Sequence, residues 1–291
     1  MDNDPMDNRI HREVIGGHLL VIGGAEDKYN ERRILRKFLE LTGKDGGETG
    51  VLIVPVASDF PEFAADIYVQ AFRRLGIAQP KVLRATSRQD VFDADADALF
   101  DGVDGIFITG GDQMRLVSIL GGTKFAQKLR EKVAETNVVL AGTSAGAAGM
   151  STTMIVRGDS AAHPHKDSVR LSPGLGFLKN IIIDQHFTER GRISRLITAV
   201  SYNPYNLGIG IDENTAIILD NEGILEVFGA GSVTIVDGSQ ISYNEIAEVS
   251  DFQPFSVCGV QLHILGNGLI YDYFGRTPIQ PPNEFLLPDI E

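Results

Sequence analysis

Apolar positions in this chain alternate between two patterns. His18-Leu-Leu-Val-Ile22, Val51-Leu-Ile-Val-Pro-Val-Ala57, Lys81-Val-Leu-Arg-Ala85, Gly105-Ile-Phe-Ile-Thr109 and Val138-Val-Leu140 are short, mostly apolar runs. Runs of that kind fit strands buried on both faces. Between them the apolar positions take helical spacing. Ile34, Leu35, Phe38, Leu39 and Leu41 share one face of a helix over Arg32 to Leu41. Pro61 opens a second helix, which runs to about Leu75 and is ended by Gly76. An acidic helix or loop covers Asp90 to Leu99. A helix then leads from Gln113 through Leu120, and a charged amphipathic one spans Thr123 to Thr136.

Strand–helix alternation predicts an α/β fold, a mainly parallel sheet flanked by helices, flavodoxin-like or class I glutamine amidotransferase-like. After Met150 the pattern changes. Ser151 to Gly176 is long, polar and interrupted by Pro164 and Pro173, which is the composition of a functional lid. Asn180-Ile-Ile-Ile183 and Leu207-Gly-Ile-Gly-Ile211 are further strands, with a helix from Arg190 to Ser201 between them. From Thr215 onward the spacing becomes that of a C-terminal antiparallel β meander. Its strands are Ala216–Leu219, Ile224–Phe228 and Ser232–Val236, and Gln261–Leu265 and Leu269–Tyr273 close it around the hairpin signal Gly266-Asn267-Gly268. No repeat or linker interrupts the chain, so it reads as a single α/β domain over 1–291, with a disordered tail over 1–15 and an extended proline-rich tail at the other end.

Composition narrows the partners. The 291 residues carry a net charge of −13, which argues against nucleic acid and anionic membrane as partners. The one cysteine, Cys258, allows no intramolecular disulfide and fits a reducing compartment. Met1 to Glu13 holds no apolar leader core, and no apolar run approaches membrane-spanning length. A soluble, cytoplasmic protein is the expectation.

Candidate chemistry gathers at the carboxyl ends of the predicted strands, where open α/β sheets bind ligands. Gly142-Thr-Ser144-Ala-Gly146 stands between a strand and a helix, the setting of a nucleophile elbow. Ser144 is the candidate nucleophile. The Ala145 amide after it and the Gly110-Gly111-Asp112 turn, through the amides of Gly111 and Asp112, are the candidate oxyanion donors. Six histidines are available as base, and His186 alone stands at the end of a predicted parallel strand; His163 and His165 on the polar segment are its rivals. Glu213, directly after the strand Leu207–Ile211, is the candidate orienting carboxylate, with Asp212 and Asp184 competing. Arg190, Arg192 and Arg195 follow His186 closely. Guanidinium forks grip carboxylates, although three arginines also suit an exposed helix face. These residues together imply a serine hydrolase acting on a substrate that carries carboxylates.

Gly23-Gly24-Ala25-Glu26-Asp27, Thr109-Gly-Gly-Asp-Gln113, Gly142-Thr-Ser-Ala-Gly-Ala147, Asp184-Gln-His-Phe187 with its arginines, and Gly210-Ile-Asp-Glu-Asn214 resemble the cyanophycinase family, which belongs with the aspartyl dipeptidase (peptidase E) group of serine peptidases. The similarity runs from about residue 17 to about residue 275. It implies an exopeptidase that releases β-aspartyl-arginine dipeptides from cyanophycin, a poly-aspartate with arginine on each β-carboxyl. It implies Ser144, His186 and Glu213 as a triad, and Gln113, Asp184, Gln185, Arg190, Arg192 and Arg195 as the substrate pocket. On that reading the arginines hold α-carboxylates and Asp184 meets the substrate guanidinium. It implies a homodimer, with no metal and no other cofactor. One departure is visible: some relatives carry a glutamate after the elbow, where Gly158 to His163 offers only Asp159. Two other readings compete, a small-substrate α-aspartyl dipeptidase, which should lack the arginine series, and a non-catalytic binding protein on the same fold.

Overall fold

The computed structural model describes residues 16–44, 48–135, 137–158, 160 and 163–279. The expected tails and Asp159 lie outside the described residues. The first half is built from β1 (Leu19–Ile22), α1 (Arg33–Leu41), β2 (Val51–Val54), α2 (Pro61–Arg74), β3 (Lys81–Val82), α3 (Arg88–Asp93), α4 (Ala96–Phe100), β4 (Gly105–Ile108), α5 (Gln113–Leu120), α6 (Lys124–Glu135), β5 (Val139–Thr143) and α7 (Ala145–Gly149). Then come the strands β6 (Thr153–Gly158), β7 (Val169–Pro173) and β8 (Ile181–Gln185), the helix α8 (Ile193–Tyr202), and β9 (Leu207–Ile211), β10 (Thr215–Leu219), β11 (Ile224–Gly229) and β12 (Val233–Asp237). The last strands are β13 (Tyr243–Asn244), β14 (Val257–Cys258), β15 (Gln261–Leu265), β16 (Ile270–Asp272) and β17 (Thr277–Ile279).

Among the described residues the main sheet has nine strands in the order β17-β16-β11-β10-β1-β5-β4-β2-β3. Its β1, β5, β4, β2 and β3 run parallel, as the alternation of strands and helices predicts, and β10, β11, β16 and β17 add antiparallel strands on one side. The continuous apolar strands are buried on both faces. Leu20, Ile22, Ile53, Phe107 and Ala141 pack with Ile34, Leu35 and Phe38 of α1 and Tyr68 and Phe72 of α2. Leu19, Val21, Leu52, Ile106 and Leu140 face the other way, onto α5, α6 and α7 and onto a second sheet.

That second sheet is where the structure departs from the sequence pattern. β8 and β9 are parallel, but they pair with β12 and β15 in a separate four-stranded sheet, order β15-β12-β9-β8. Ile181, Ile183, Ile209 and Ile235 join the main core, while Ile182 and Val236 face Leu196, Ala199 and Val200 of α8. The expected meander is therefore divided. β10 and β11 stay in the main sheet, and β12 crosses to pair with β9. Likewise β15 and β16 enter different sheets, so Gly266-Asn267-Gly268 joins two layers and is not a hairpin turn. The segment expected as a lid holds the antiparallel pair β6–β7, with a bulge between Ile155 and Arg157. Among the described residues no helix is long and apolar enough to cross a membrane.

Candidate active site

Ser144 sits between β5 and α7 with φ 53° and ψ −114°, a conformation L residues seldom adopt. Across the described stretch Val138 to Ser151 every other residue is buried, and Ser144 keeps part of its surface. The turn needs close backbone approach: a Cβ on Gly146 would lie 2.4 Å from the Ile108 carbonyl oxygen. The elbow hydroxyl is thus held out of a packed layer by a strained residue, the expected geometry for a nucleophile.

His186 follows β8 directly. Its Nε2 lies 3.0 Å from Ser144 Oγ, and its Nδ1 lies 2.5 Å from Glu213 Oε1. Gln185 Oε1 also approaches the serine hydroxyl, at 3.4 Å. Ser144 comes from the main sheet, while His186 and Glu213 come from the second, so the group assembles where strand ends of two sheets meet. Asp212, the rival carboxylate, is committed elsewhere. It accepts from the Thr188 amide (3.0 Å) and from the Ser232 amide (3.0 Å) and hydroxyl (2.8 Å). Burial pushes its carboxyl upward, but these hydrogen bonds outweigh that and hold it below the usual aspartate range. His163 and His165 lie beside each other near Phe252, and among the described residues neither hydrogen-bonds to Ser144.

The turn after β1 forms the wall behind the imidazole. The His186 amide donates to the Gly23 carbonyl at 2.8 Å. Gly24 has φ +106°, and a Cβ there would stand 2.5 Å from both Cε1 and Nε2 of His186. Gly24→Ala is therefore expected to tilt the ring away from Ser144 and lower kcat about a hundredfold, with KM little changed. Steady-state kinetics on a peptidase substrate checks it.

The candidate oxyanion donors divide. The Asp112 amide donates to the Ala57 carbonyl at 2.8 Å, and its side chain caps α5 by accepting from the Met114 and Arg115 amides. That amide is spent on the fold. Among the described residues the Ala145 and Gly111 amides have no protein acceptor. The glycine turn is close enough to matter, since a Cβ on Gly110 would lie 3.3 Å from Ser144 Cβ.

The arginine series also divides. In place of one helix from Arg190, a 3-10 turn (Thr188–Arg190) precedes Gly191 and α8. Asp184 is 1% exposed and receives Arg195 Nε at 2.6 Å, Arg195 Nη2, and Arg192 Nη1 at 3.3 Å. Three donors from within the protein already reach its oxygens, so a substrate guanidinium at Asp184 would have to displace one of them. Arg195 also donates to the Gly158 carbonyl at 3.1 Å, and Arg192 to the Gln185 carbonyl. Burial, opposed by Asp184, pulls the Arg192 guanidinium down to about 10. Arg190 is exposed and, among the described residues, makes no ion pair. Gln113 donates to the Ile155 and Val156 carbonyls (2.9 and 3.1 Å) at the β6 bulge, tying that hairpin to the Gly110-Gly111-Asp112 turn.

With this geometry in place, comparison with known proteins decides the family. The sequence profile of peptidase family S51 matches residues 19–227. The chain belongs to peptidase family S51. It is 39% identical over 270 residues to a cyanophycinase of Geminocystis herdmanii, covering 93% of this chain and 97% of that one. It is 39% identical over 290 residues to a cyanophycinase of Thermosynechococcus vestitus, covering 99% of this chain and 88% of that one. Among solved structures, a peptidase from an acI-B1 Actinobacterium superposes with a TM-score of 0.61 at 25% identity, covering 79% of this chain and 94% of that one. The S51 match spans the elbow, the His186 turn and Glu213 alike.

Proposed function

We propose that this S51 peptidase is a cyanophycinase, a serine exopeptidase that hydrolyses the aspartyl backbone of cyanophycin to β-aspartyl-arginine dipeptides through Ser144, His186 and Glu213. The observation that carries the reading is the unbroken chain Ser144 Oγ–Nε2 His186 Nδ1–Oε1 Glu213, at 3.0 and 2.5 Å, in a protein 39% identical to cyanophycinases over nearly its whole length. Glu213 accepts from Nδ1–H, which leaves Nε2 as the acceptor for the serine proton. Ser144 Oγ then bonds to the scissile carbonyl carbon, its proton passes to Nε2, and the carbonyl electron pair moves onto oxygen. The amides of Ala145 and Gly111 are the donors available to that oxyanion. When the C–N bond breaks, the leaving amine takes the proton from Nε2 and an acyl-serine remains. Water, deprotonated by the same nitrogen, releases the acid and restores the hydroxyl.

The substrate offers an arginine carboxylate and a guanidinium on every repeat. Arg190 is the member of the arginine series with an open fork, so it takes the carboxylate-binding role in this reading, and Arg192 and Arg195 shape the pocket through Asp184. Arg190→Ala is expected to raise KM for cyanophycin about fivefold to tenfold with kcat nearly unchanged. The deciding experiment is product analysis on insoluble cyanophycin beside an α-aspartyl dipeptide. Release of β-aspartyl-arginine supports the reading, and turnover of the α-aspartyl dipeptide alone replaces it with an aspartyl dipeptidase. The reading also has the chain acting as a cytoplasmic homodimer, whose mass light scattering of the purified protein measures.

A further inference from the structure

The turn Gly23 to Asp27 touches His186 and the residues next to Ser144 and Glu213. Gly23 and Gly24 hold His186 as described. Asn214, next to Glu213, donates its amide to the Gly24 carbonyl at 2.9 Å and accepts the Asp27 amide on its side-chain oxygen at 3.1 Å. The third contact runs through Glu26, whose carboxylate is buried with the residue 2% exposed. Oε2 accepts the Thr143 hydroxyl at 2.6 Å; Oε1 accepts the Tyr68 hydroxyl and lies 3.2 Å from Lys28 Nζ. Burial and the neighbouring Glu26 charge push the Tyr68 hydroxyl well above its ordinary value, so it stays a donor.

A carboxylate taken this far out of water is costly unless its oxygens are filled, and here one of them is filled by the residue immediately before the nucleophile. Ser144 holds φ 53°, ψ −114° only while its neighbours over-determine it. Backbone pairing fixes Thr143 as far as the end of β5, and the Ser144 amide is bonded to the Ile22 carbonyl at 3.0 Å. The Thr143 side chain is held in addition, by a short charge-assisted bond to Glu26 at the point where the chain enters the elbow.

We infer that Glu26 is a positioning residue of the nucleophile, acting through the Thr143 hydroxyl, so that one turn after β1 registers the serine, the histidine and the glutamate against each other. The inference rests on the catalytic reading of that group. Two substitutions each remove one hydroxyl from the same carboxylate, Thr143→Val beside the nucleophile and Tyr68→Phe on α2. Both are expected to lower Tm. Only Thr143→Val is expected to lower kcat on cyanophycin, by about tenfold or more with KM within about twofold, and to slow fluorophosphonate labelling of Ser144 by a similar factor. Tyr68→Phe is expected to keep kcat within about threefold, and Thr143→Ser, which restores the donor, to keep at least about a third of it. Equal kcat values for Thr143→Val and Tyr68→Phe would overturn the inference. So would a Thr143→Ser enzyme about tenfold or more slower than wild type, and that variant decides the matter if Thr143→Val does not fold. Wild-type protein that neither releases dipeptide nor labels at Ser144 would remove the catalytic reading instead, before any variant is compared.

Discussion

Ser144→Ala is expected to lower kcat on cyanophycin on the order of a millionfold, to the level left by binding and the oxyanion donors alone. The size follows from what the hydroxyl does. In the proposed mechanism it forms the covalent acyl bond, and His186, 3.0 Å away, has nothing else to deprotonate in the first step. Members of such a group act as a unit, so adding His186→Ala to Ser144→Ala should cost little more. Stability should hardly move, because alanine tolerates the same positive φ about as well as serine and Ser144 is partly exposed. Dipeptide release under single-turnover conditions measures the loss, and a fluorophosphonate probe should label the wild type at Ser144 and leave the variant untouched. An unlabelled wild type would favour a binding protein on this fold. A Ser144→Ala enzyme retaining more than about a hundredth of its activity would mean that another group is the nucleophile.

Asp184→Ala should act in the opposite way, through the fold. The carboxylate is 1% exposed and is the shared counter-charge of Arg192 and Arg195, themselves 8% and 6% exposed. Removing it leaves two buried guanidinium groups close together with no anion between them. Breaking a buried pair in this manner costs about 3–5 kcal/mol, which for a chain of this size lowers Tm by about 10 °C. The Arg192 Nε already lacks a partner among the described residues, so little spare bonding is available to absorb the loss. Asp184→Asn keeps an acceptor and should cost less. Thermal and urea unfolding of the three proteins checks the order. If Asp184 instead served a substrate guanidinium directly, Asp184→Ala would raise KM and leave Tm in place.

The legible part of this site was local. Gly-x-Ser-x-Gly between an apolar run and a small-residue helix identifies Ser144, because the strand, the turn and the helix are each encoded within a few residues. His186 and Glu213 could be placed at strand ends for the same reason. Their sheet could not. Ile181 to Ile183 and Leu207 to Ile211 are buried on both faces, and such a strand looks alike whichever sheet accepts it. The short connections around Gly229 to Gly231 and Gly266 to Gly268 have hairpin length, yet each carries the chain from one sheet to the other. Period-2 patterning states which face is apolar and says nothing of which strand lies alongside.

Charge was legible as composition and not as partnership. Arg190, Arg192 and Arg195 are one cluster in the sequence and two environments in space, since the turn at Gly191 leaves Arg190 in solvent and carries the other two onto Asp184. Glu26 is 117 residues from the threonine it holds, a pairing that no spacing rule reaches.

By itself the amino-acid sequence determined the alternation of buried strands and amphipathic helices, the serine elbow, and the small set of histidines and carboxylates able to serve it, because each is set by neighbours along the chain. Only the tertiary structure decided that two sheets meet at the site, that Asp212 and Asp184 are occupied while Glu213 faces His186, and that the turn after β1 lies against His186 and the neighbours of the other two. Those outcomes depend on which distant surfaces bury one another, and burial is a property of the assembled protein that no local window of residues contains.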